Sequence, residues 1–349
     1  MFHHVKKGVR IGLFFGVGIV FLYLVFKRQN TAFQADCAIK GVAPENCSLV
    51  QKVIADISGA DFYWISIVLI VFMISNVVRA MRWKMMLQAI GYQPRMVNLL
   101  GTYLVNNLTN LGIPRSGEVI RGGLLAEYED IPVEKVLGTI VTDRIFDVIM
   151  LLLTTVLALF LGGREFIAYL EENINLSAKL RLITNNPVAV VSIVTLMLVL
   201  LLYLRANYRK IKKTEAFKKF SDIIIGFMDG IRSVRNVSSI SLFIFYTVLI
   251  WVLYYLMLYL AFFSFEPTSH LGPVAGLVVF VFGSLGFALP TPGGMGSYHY
   301  LMGEALAMYG LSGLDAFSFT NIMFFSVQIF VNILFGLIAL VLLPLFNKE

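Results

Sequence analysis

Charge is what this sequence has least of. Only 14% of its 349 residues are Asp, Glu, Lys or Arg, where a soluble domain carries about 25%. Hydrophobic residues make up 58% of the chain and mean hydropathy is +0.81. Apolar runs of roughly 18 or more residues recur, the length that spans a bilayer, which excludes a water-soluble fold. Alternating ten-residue strands are absent too, which excludes a transmembrane β-barrel. Cysteine occurs twice, as Cys37 and Cys47 within "DCAIKGVAPENCS". That is too few for a thiolate metal cluster, and it leaves either one small disulfide-closed loop or two free thiols.

Catalytic signatures are missing as well. There is no G-x-x-x-x-G-K-[ST], G-x-S-x-G or H-E-x-x-H, and no clustered Cys/His set. ATP hydrolysis by a P-loop and the common serine or zinc hydrolase chemistries are excluded on that ground. No enzymatic activity, cofactor or metal is expected. Net charge is +7, but the basic stretch "RANYRKIKKTEAFKKF" (Arg205 to Phe220) has no aromatic platform beside it. It reads as a basic cytoplasmic loop, 205–235, near anionic lipid, and nucleic acid is not an expected partner.

What is present is a series of apolar segments. Six are long enough to cross, at about 11–26, 61–78, 136–161, 187–204, 239–264 and 317–345. The first follows Lys6, Lys7 and Arg10 and lacks a small-residue cleavage pattern, so it reads as an uncleaved span. Two others, about 96–127 and 271–310, are apolar but broken. If 96–127 crossed fully, the basic loop would fall outside, against the positive-inside tendency. A hairpin that dips in and returns puts every basic loop on the cytoplasmic side, including Arg79, Arg82 and Lys84 after the second span. The returning piece of 271–310 is about 14 residues, roughly 21 Å, short for a crossing. The expected fold is therefore an all-α polytopic membrane protein, one domain over 1–349. It has about six full transmembrane helices and two re-entrant hairpins entering from opposite faces; counting the hairpins as full crossings gives eight helices. Both termini are expected in the cytoplasm, in the cytoplasmic (inner) membrane, and 29–60 outside it.

Each broken segment turns at prolines and glycines: "NLGIPRSGE" around Pro114 and Gly117, and "ALPTPGGMGS" with Pro290, Thr291, Pro292, Gly293, Gly294 and Gly296. Ser116 and Ser297 are placed to cap the returning half-helices. Irregular backbone at membrane depth survives only when buried in protein or lining an aqueous cavity. The exposed N–H groups of such half-helices favour an anion, and paired broken helices point to a transport site.

The candidate residues follow from that picture. Arg115 and Arg121 either hold a phosphate by two-pronged hydrogen bonding or mark the cytoplasmic end of the hairpin. Glu118 balances them or carries a proton. In "TIVTDRIFDVIML", Asp143 and Asp147 share a helix face beside Arg144. Charges so placed must face protein or water, either as structural partners of Arg115 or Arg121 or as gating groups. His299 and Glu304 follow Ser297; His299 is either a titrating group or a packed, hydrogen-bonded one. Asn106, Asn107 and Asn110 either line the same cavity or bond between helices. The glycines at 293, 294 and 296 are the expected flexing point.

Four stretches in order, "RAMRWKMML", "LGIPRSGEVIRGGLL", "TIVTDRIFDVIML" and "LPTPGGMGSYHY", together resemble the membrane region of the lysylphosphatidylglycerol synthase family, over about 61–345. The resemblance implies a helical membrane domain that moves a lipid between leaflets. It assigns family positions to Arg115, Gly117, Glu118, Arg121, Asp143, Arg144, Asp147, Pro290, Pro292, Gly293, Gly294, Gly296 and Ser297. The family's soluble aminoacyl-transferase domain has no counterpart in these 349 residues, so a stand-alone, flippase-like member without lysyl transfer is expected. The expected substrate is a phosphate-bearing lipid, either a phospholipid or a polyprenyl-phosphate-linked one. The rival reading is a lipid-binding accessory that partners a lipid- or glycan-modifying enzyme without transporting anything.

Overall fold

The computed structural model describes residues 47–112, 116–174, 236–289 and 291–347, with isolated positions between 23 and 37 and at 195. Pro114, Arg115, Pro290, most of the spans at 11–26 and 187–204 and the basic loop at 205–235 lie outside the described residues. Among the described residues every regular element is helical, as a polytopic all-α membrane protein requires.

In chain order the helices are α1 (Leu49–Ser58), α2 (Phe62–Ala89), α3 (Met96–Gly112), α4 (Ser116–Glu129), α5 (Val133–Ile174), α6 (Ile240–Ala261), α7 (Pro273–Ala288) and α8 (Ser297–Ala307). Then α9 (Gly313–Met323) passes through a π-helical stretch, Phe324–Val331, into α10 (Asn332–Phe346). Four helical runs are long and apolar enough to span a bilayer: Phe62–Ala89, Val133–Tyr169, Ile240–Ser264 and Gly313–Phe346. They coincide with four of the six expected crossings.

Ends that meet define two opposite faces. At one, the backbone N–H of Asp61, just before α2, bonds to the Ser264 carbonyl just after α6, so these two helices are antiparallel. Gly162 of α5 packs on Val274 and Val278 of α7 near this face, beside Tyr309. At the other face, the Arg95 N–H bonds to Glu129 at 2.9 Å, closing the base of α3 and α4. Asn347, after α10, exchanges side-chain hydrogen bonds with Asn98 at the same base.

Helices α3 and α4 therefore form an antiparallel hairpin with both bases on the second face. Helices α7 and α8 form another, open to the first face, with Tyr298 packed on Gly283 and Gly286. The two tips meet. A Cβ built on Gly293 would lie 3.5 Å from Leu111 Cδ2 and 3.7 Å from Gln328 Nε2. With 17 and 14 residues, the first hairpin's arms are about 25 and 21 Å long.

The largest core cluster joins α2, α6, α7, α8 and α9 around Phe262, Val279, Tyr298 and Phe319. A second surrounds Trp83, Tyr103, Leu125 and Val136, where the first hairpin packs on α2 and α5. Outside the membrane-sized elements, Cys37 and Cys47 are joined by a disulfide. Leu49 at the start of α1 packs on Phe317 of α9.

Candidate functional site

Helix α2 runs 28 residues, past the point where apolar character fails. Arg79 and Arg82 are therefore helical residues inside the protein, not the loop charges expected from sequence. Three positions apart, they share a face. Arg82 is fully buried and Arg79 is 9% exposed. The face they meet belongs to α5, where Asp143 and Asp147 are four apart.

Arg82 Nη2 donates to Asp143 Oδ1 at 2.6 Å and to Asp147 Oδ1 at 2.8 Å. Tyr103, from α3, donates its hydroxyl to the second Asp143 oxygen at 2.9 Å. Arg79 Nη2 stands 3.5 Å from Asp147 and 3.8 Å from Asp143. Arg121, from α4, lies 3.7 Å from Asp143. Its guanidinium lies 4.4 and 4.1 Å from the ring centroids of Trp83 and Tyr103, which themselves meet edge to face, and these cation–π contacts replace part of its lost hydration. Arg144 closes the set, reaching Glu118 at 2.9 Å and Asp147 at 3.3 Å.

The network thus joins α2, α3, α4 and α5 with four guanidinium groups against three carboxylates, leaving one positive charge uncompensated among the described residues. Of the four, Arg79 lines a cavity of about 160 Å³; its Nε and Nη2 are buried and make no hydrogen bond, Nη2 facing Asp147 and Asp143. Phe72, Ser75 and Asn76 of α2 form one wall, Asn107 and Asn110 of α3 a second, and Tyr254, Gln328 and Asn332 the remainder. Asn332 Oδ1 is buried without a partner. Gln328 stands in the π-helical stretch, whose extra residue per turn shifts the register of side chains, a feature frequent at functional sites.

The first hairpin's tip is tighter than expected. Ser116 is the first residue of α4 and donates its hydroxyl to the Thr109 carbonyl at 3.2 Å. The acceptor for the Gly117 N–H is Asn110 Oδ1, at 2.8 Å. Gly117 is what allows this approach, since a Cβ there would fall 2.4 Å from the Asn106 carbonyl oxygen.

At the second tip, Gly293, Gly294 and Gly296 all have positive φ, of 55°, 79° and 81°, a region that favours glycine. The cap of α8 is Gly296, and Ser297 makes no capping bond. Its hydroxyl instead pairs with Thr291 at 2.7 Å and donates to the Gly286 carbonyl at 2.8 Å, pinning the turn to α7. The left-handed glycines turn the chain so that this hydroxyl faces backward. His299 is buried among Tyr298, Phe317 and Phe324, its Nδ1 without a hydrogen-bond partner. Glu304 accepts from Tyr169 of α5.

Of the residues singled out from sequence, Glu118, Arg121, Asp143, Arg144 and Asp147 come together in one network, and Asn110 lines the cavity. Thr291, Ser297 and the three glycines build the neighbouring tip. His299 and Glu304 lie on α8, outside both, and Arg115 is not among the described residues. Sequence reasoning missed Arg79, Arg82, Tyr103, Tyr254, Gln328 and Asn332. The available signal was the series Ser75, Asn76, Arg79, Arg82, polar residues at helical spacing on one face.

Comparison with curated proteins and with solved structures gave no match. A family model described as "Lysylphosphatidylglycerol synthase TM region" matches residues 48–336, which takes in both hairpins, the charge network and the cavity. Since that match spans well over half of the 349 residues, the chain belongs to the lysylphosphatidylglycerol synthase transmembrane-region family, integral membrane proteins of a flippase-like, lipid-related kind.

Proposed function

We propose that this protein moves a phosphate-bearing lipid between membrane leaflets, taking the head group through the cavity at the hairpin tips while the chains stay in the bilayer. The observation that carries this reading is Arg79: a cation lining a polar cavity, backed by a network one positive charge in excess. A bare charge entering hydrocarbon faces an idealised cost of tens of kcal/mol. A cavity with a guanidinium and several amides replaces much of the lost hydration.

In this reading the hairpins are re-entrant, entering from opposite faces, as in transporters whose sites lie where broken helices meet. The face holding the base of α3 and α4 is cytoplasmic, and the membrane is the cytoplasmic one. The charge network seals the cavity toward that face, so exchange between leaflets requires the hairpins to move against α2 and α5. Substrate contacts are assigned to Arg79, Asn110, Gln328 and Asn332. Glu118, Arg144 and Asp147 couple or gate, the glycines at 293, 294 and 296 flex, and the chain performs no chemistry of its own.

The test is reconstitution of the purified full chain in liposomes with head-group-labelled phospholipid, following the label's movement with a membrane-impermeant quencher. The expected result is faster exchange than in protein-free liposomes, lost on Arg79→Gln. No acceleration under any imposed gradient would overturn transport and favour a lipid-binding accessory.

A further inference from the structure

Helix α1 takes no part in the cavity or the charge network, and its faces are not those of a helix lying in water. Its apolar residues, Leu49, Val50, Val53, Ile54 and Ile57, recur at helical spacing and cover more than the side that meets the protein. Leu49 is buried against Phe317 of α9, with Val53 and Leu314 in the same cluster, and Ile57 packs on the main core. Val50 and Ile54, four apart and so adjacent on one flank, are 51% and 58% exposed. Gln51, Ala55 and Ser58 occupy a third, exposed side.

Placement determines what that flank meets. Ser318 donates its hydroxyl to Asp56, and Lys52 stands 4.0 Å from Asp315. The α9 residues in these contacts all lie between 314 and 318, about one turn, whereas α1 contributes residues from 49 to 56, about two turns. The short helix therefore lies across the entry of α9 rather than along it. That entry opens the spanning run Gly313–Phe346, so α1 lies near the membrane plane, at the first face. Only Gly59, Ala60 and Asp61 separate it from α2, a reach of about 10 Å, and α2 also begins a spanning run. Tyr63 and Trp64 stand at that beginning, Tyr63 68% exposed, and such rings mark the head-group level. Both neighbours thus hold α1 where the bilayer begins.

We infer that α1 is an interfacial helix whose partner is the membrane surface itself. Val50 and Ile54 insert at the boundary of head groups and acyl chains on the first face, while Gln51 stays in water. The helix carries one cation and one anion, Lys52 and Asp56, which pair with each other at 2.8 Å. Its insertion is therefore driven by apolar burial and not by attraction to anionic lipid.

The experiment places a spin label separately on Ile54→Cys, Val50→Cys and Gln51→Cys in the full chain, with the Cys37–Cys47 disulfide intact. Each variant is reconstituted in phosphatidylcholine liposomes and its accessibility to oxygen and to a water-soluble nickel chelate is measured. All three positions are exposed, so the labels leave the packing on α9 undisturbed. The Ile54 and Val50 labels should lie about 5–10 Å below the head groups, with the Gln51 label in water. Ile54 and Val50 labels as open to the chelate as Gln51 would overturn the inference. Labels shielded from both reagents would overturn it too, since protein would then cover the flank. Depths should be the same when phosphatidylglycerol is added to the liposomes; insertion only in its presence would contradict an apolar driving force.

Discussion

Removing the charge at Asp143 should cost more than any other single charge change in the described protein. The side chain is fully buried. Both oxygens accept hydrogen bonds, from Arg82 at 2.6 Å and Tyr103 at 2.9 Å. Arg79 and Arg121 stand at 3.8 and 3.7 Å. At an effective dielectric of ~20, each unit pair near 4 Å attracts by about 4 kcal/mol. The desolvation of these groups offsets much of this, so the pairs do not add. Asp143→Asn removes the attraction and keeps the desolvation, leaving four guanidinium groups against two carboxylates. Losing one partner of a buried pair typically costs about 3–5 kcal/mol, and that loss is expected here. Asp147, whose side chain is 18% exposed, should cost less when changed to Asn, about 1–3 kcal/mol. The assay is thermal unfolding of the purified protein in one detergent, with denaturant titration for free energies. The paired change Arg82→Met with Asp143→Leu should be less damaging than Asp143→Leu alone, since it removes one of the buried cations left without its partner. An Asp143→Asn protein as stable as its parent, or a paired variant worse than Asp143→Leu alone, would refute this reasoning.

Three further outcomes are expected. Gly117→Ala places a methyl 2.4 Å from the Asn106 carbonyl oxygen. It should force α3 and α4 apart and destabilise by about 1–3 kcal/mol, seen as a lower melting temperature. Ser297→Ala removes the bonds to Thr291 and the Gly286 carbonyl. It should cost about 1–3 kcal/mol and speed hydrogen exchange at the second tip. Asn110→Leu takes away the acceptor for the Gly117 N–H; a loss of about 1 kcal/mol is expected, together with slower lipid exchange in liposomes.

Much of the architecture was legible because bilayer thickness and helical rise leave few options for an apolar run. The two interrupted segments stood out through residues that break a helix, such as the glycines at 293, 294 and 296. The charge network was half legible. Asp143 and Asp147 drew notice because an acid within an apolar span demands a partner; of the two partners expected, Arg115 and Arg121, the second does stand 3.7 Å from Asp143, but Arg82 is closer. Arg82 was missed because hydropathy ends the second span at 78, where Arg79 makes the window polar. The helix continues regardless, since Trp83, Met86 and Leu87 on the same stretch are buried against the first hairpin. The caps failed for a related reason. Spacing alone favours Ser116 and Ser297, but contact across each turn hands the first-turn N–H of Gly117 to Asn110 and turns Ser297 toward Gly286. Such choices depend on which chain lies opposite, and a single sequence does not contain that information.

The function proposed above requires that the two hairpins enter from opposite faces and that their tips meet inside the bilayer. Its most direct test is the depth of Leu111, measured with a spin label on Leu111→Cys in liposomes by power saturation with oxygen and a water-soluble nickel chelate. Labels at Gln93 and Glu134 serve as references for one face and a label at His270 for the other. The expected result is a Leu111 label near the bilayer centre, with Gln93 and Glu134 in water together and His270 in water opposite. A Leu111 label in bulk water on the His270 side would make the first hairpin a pair of full crossings and contradict the account.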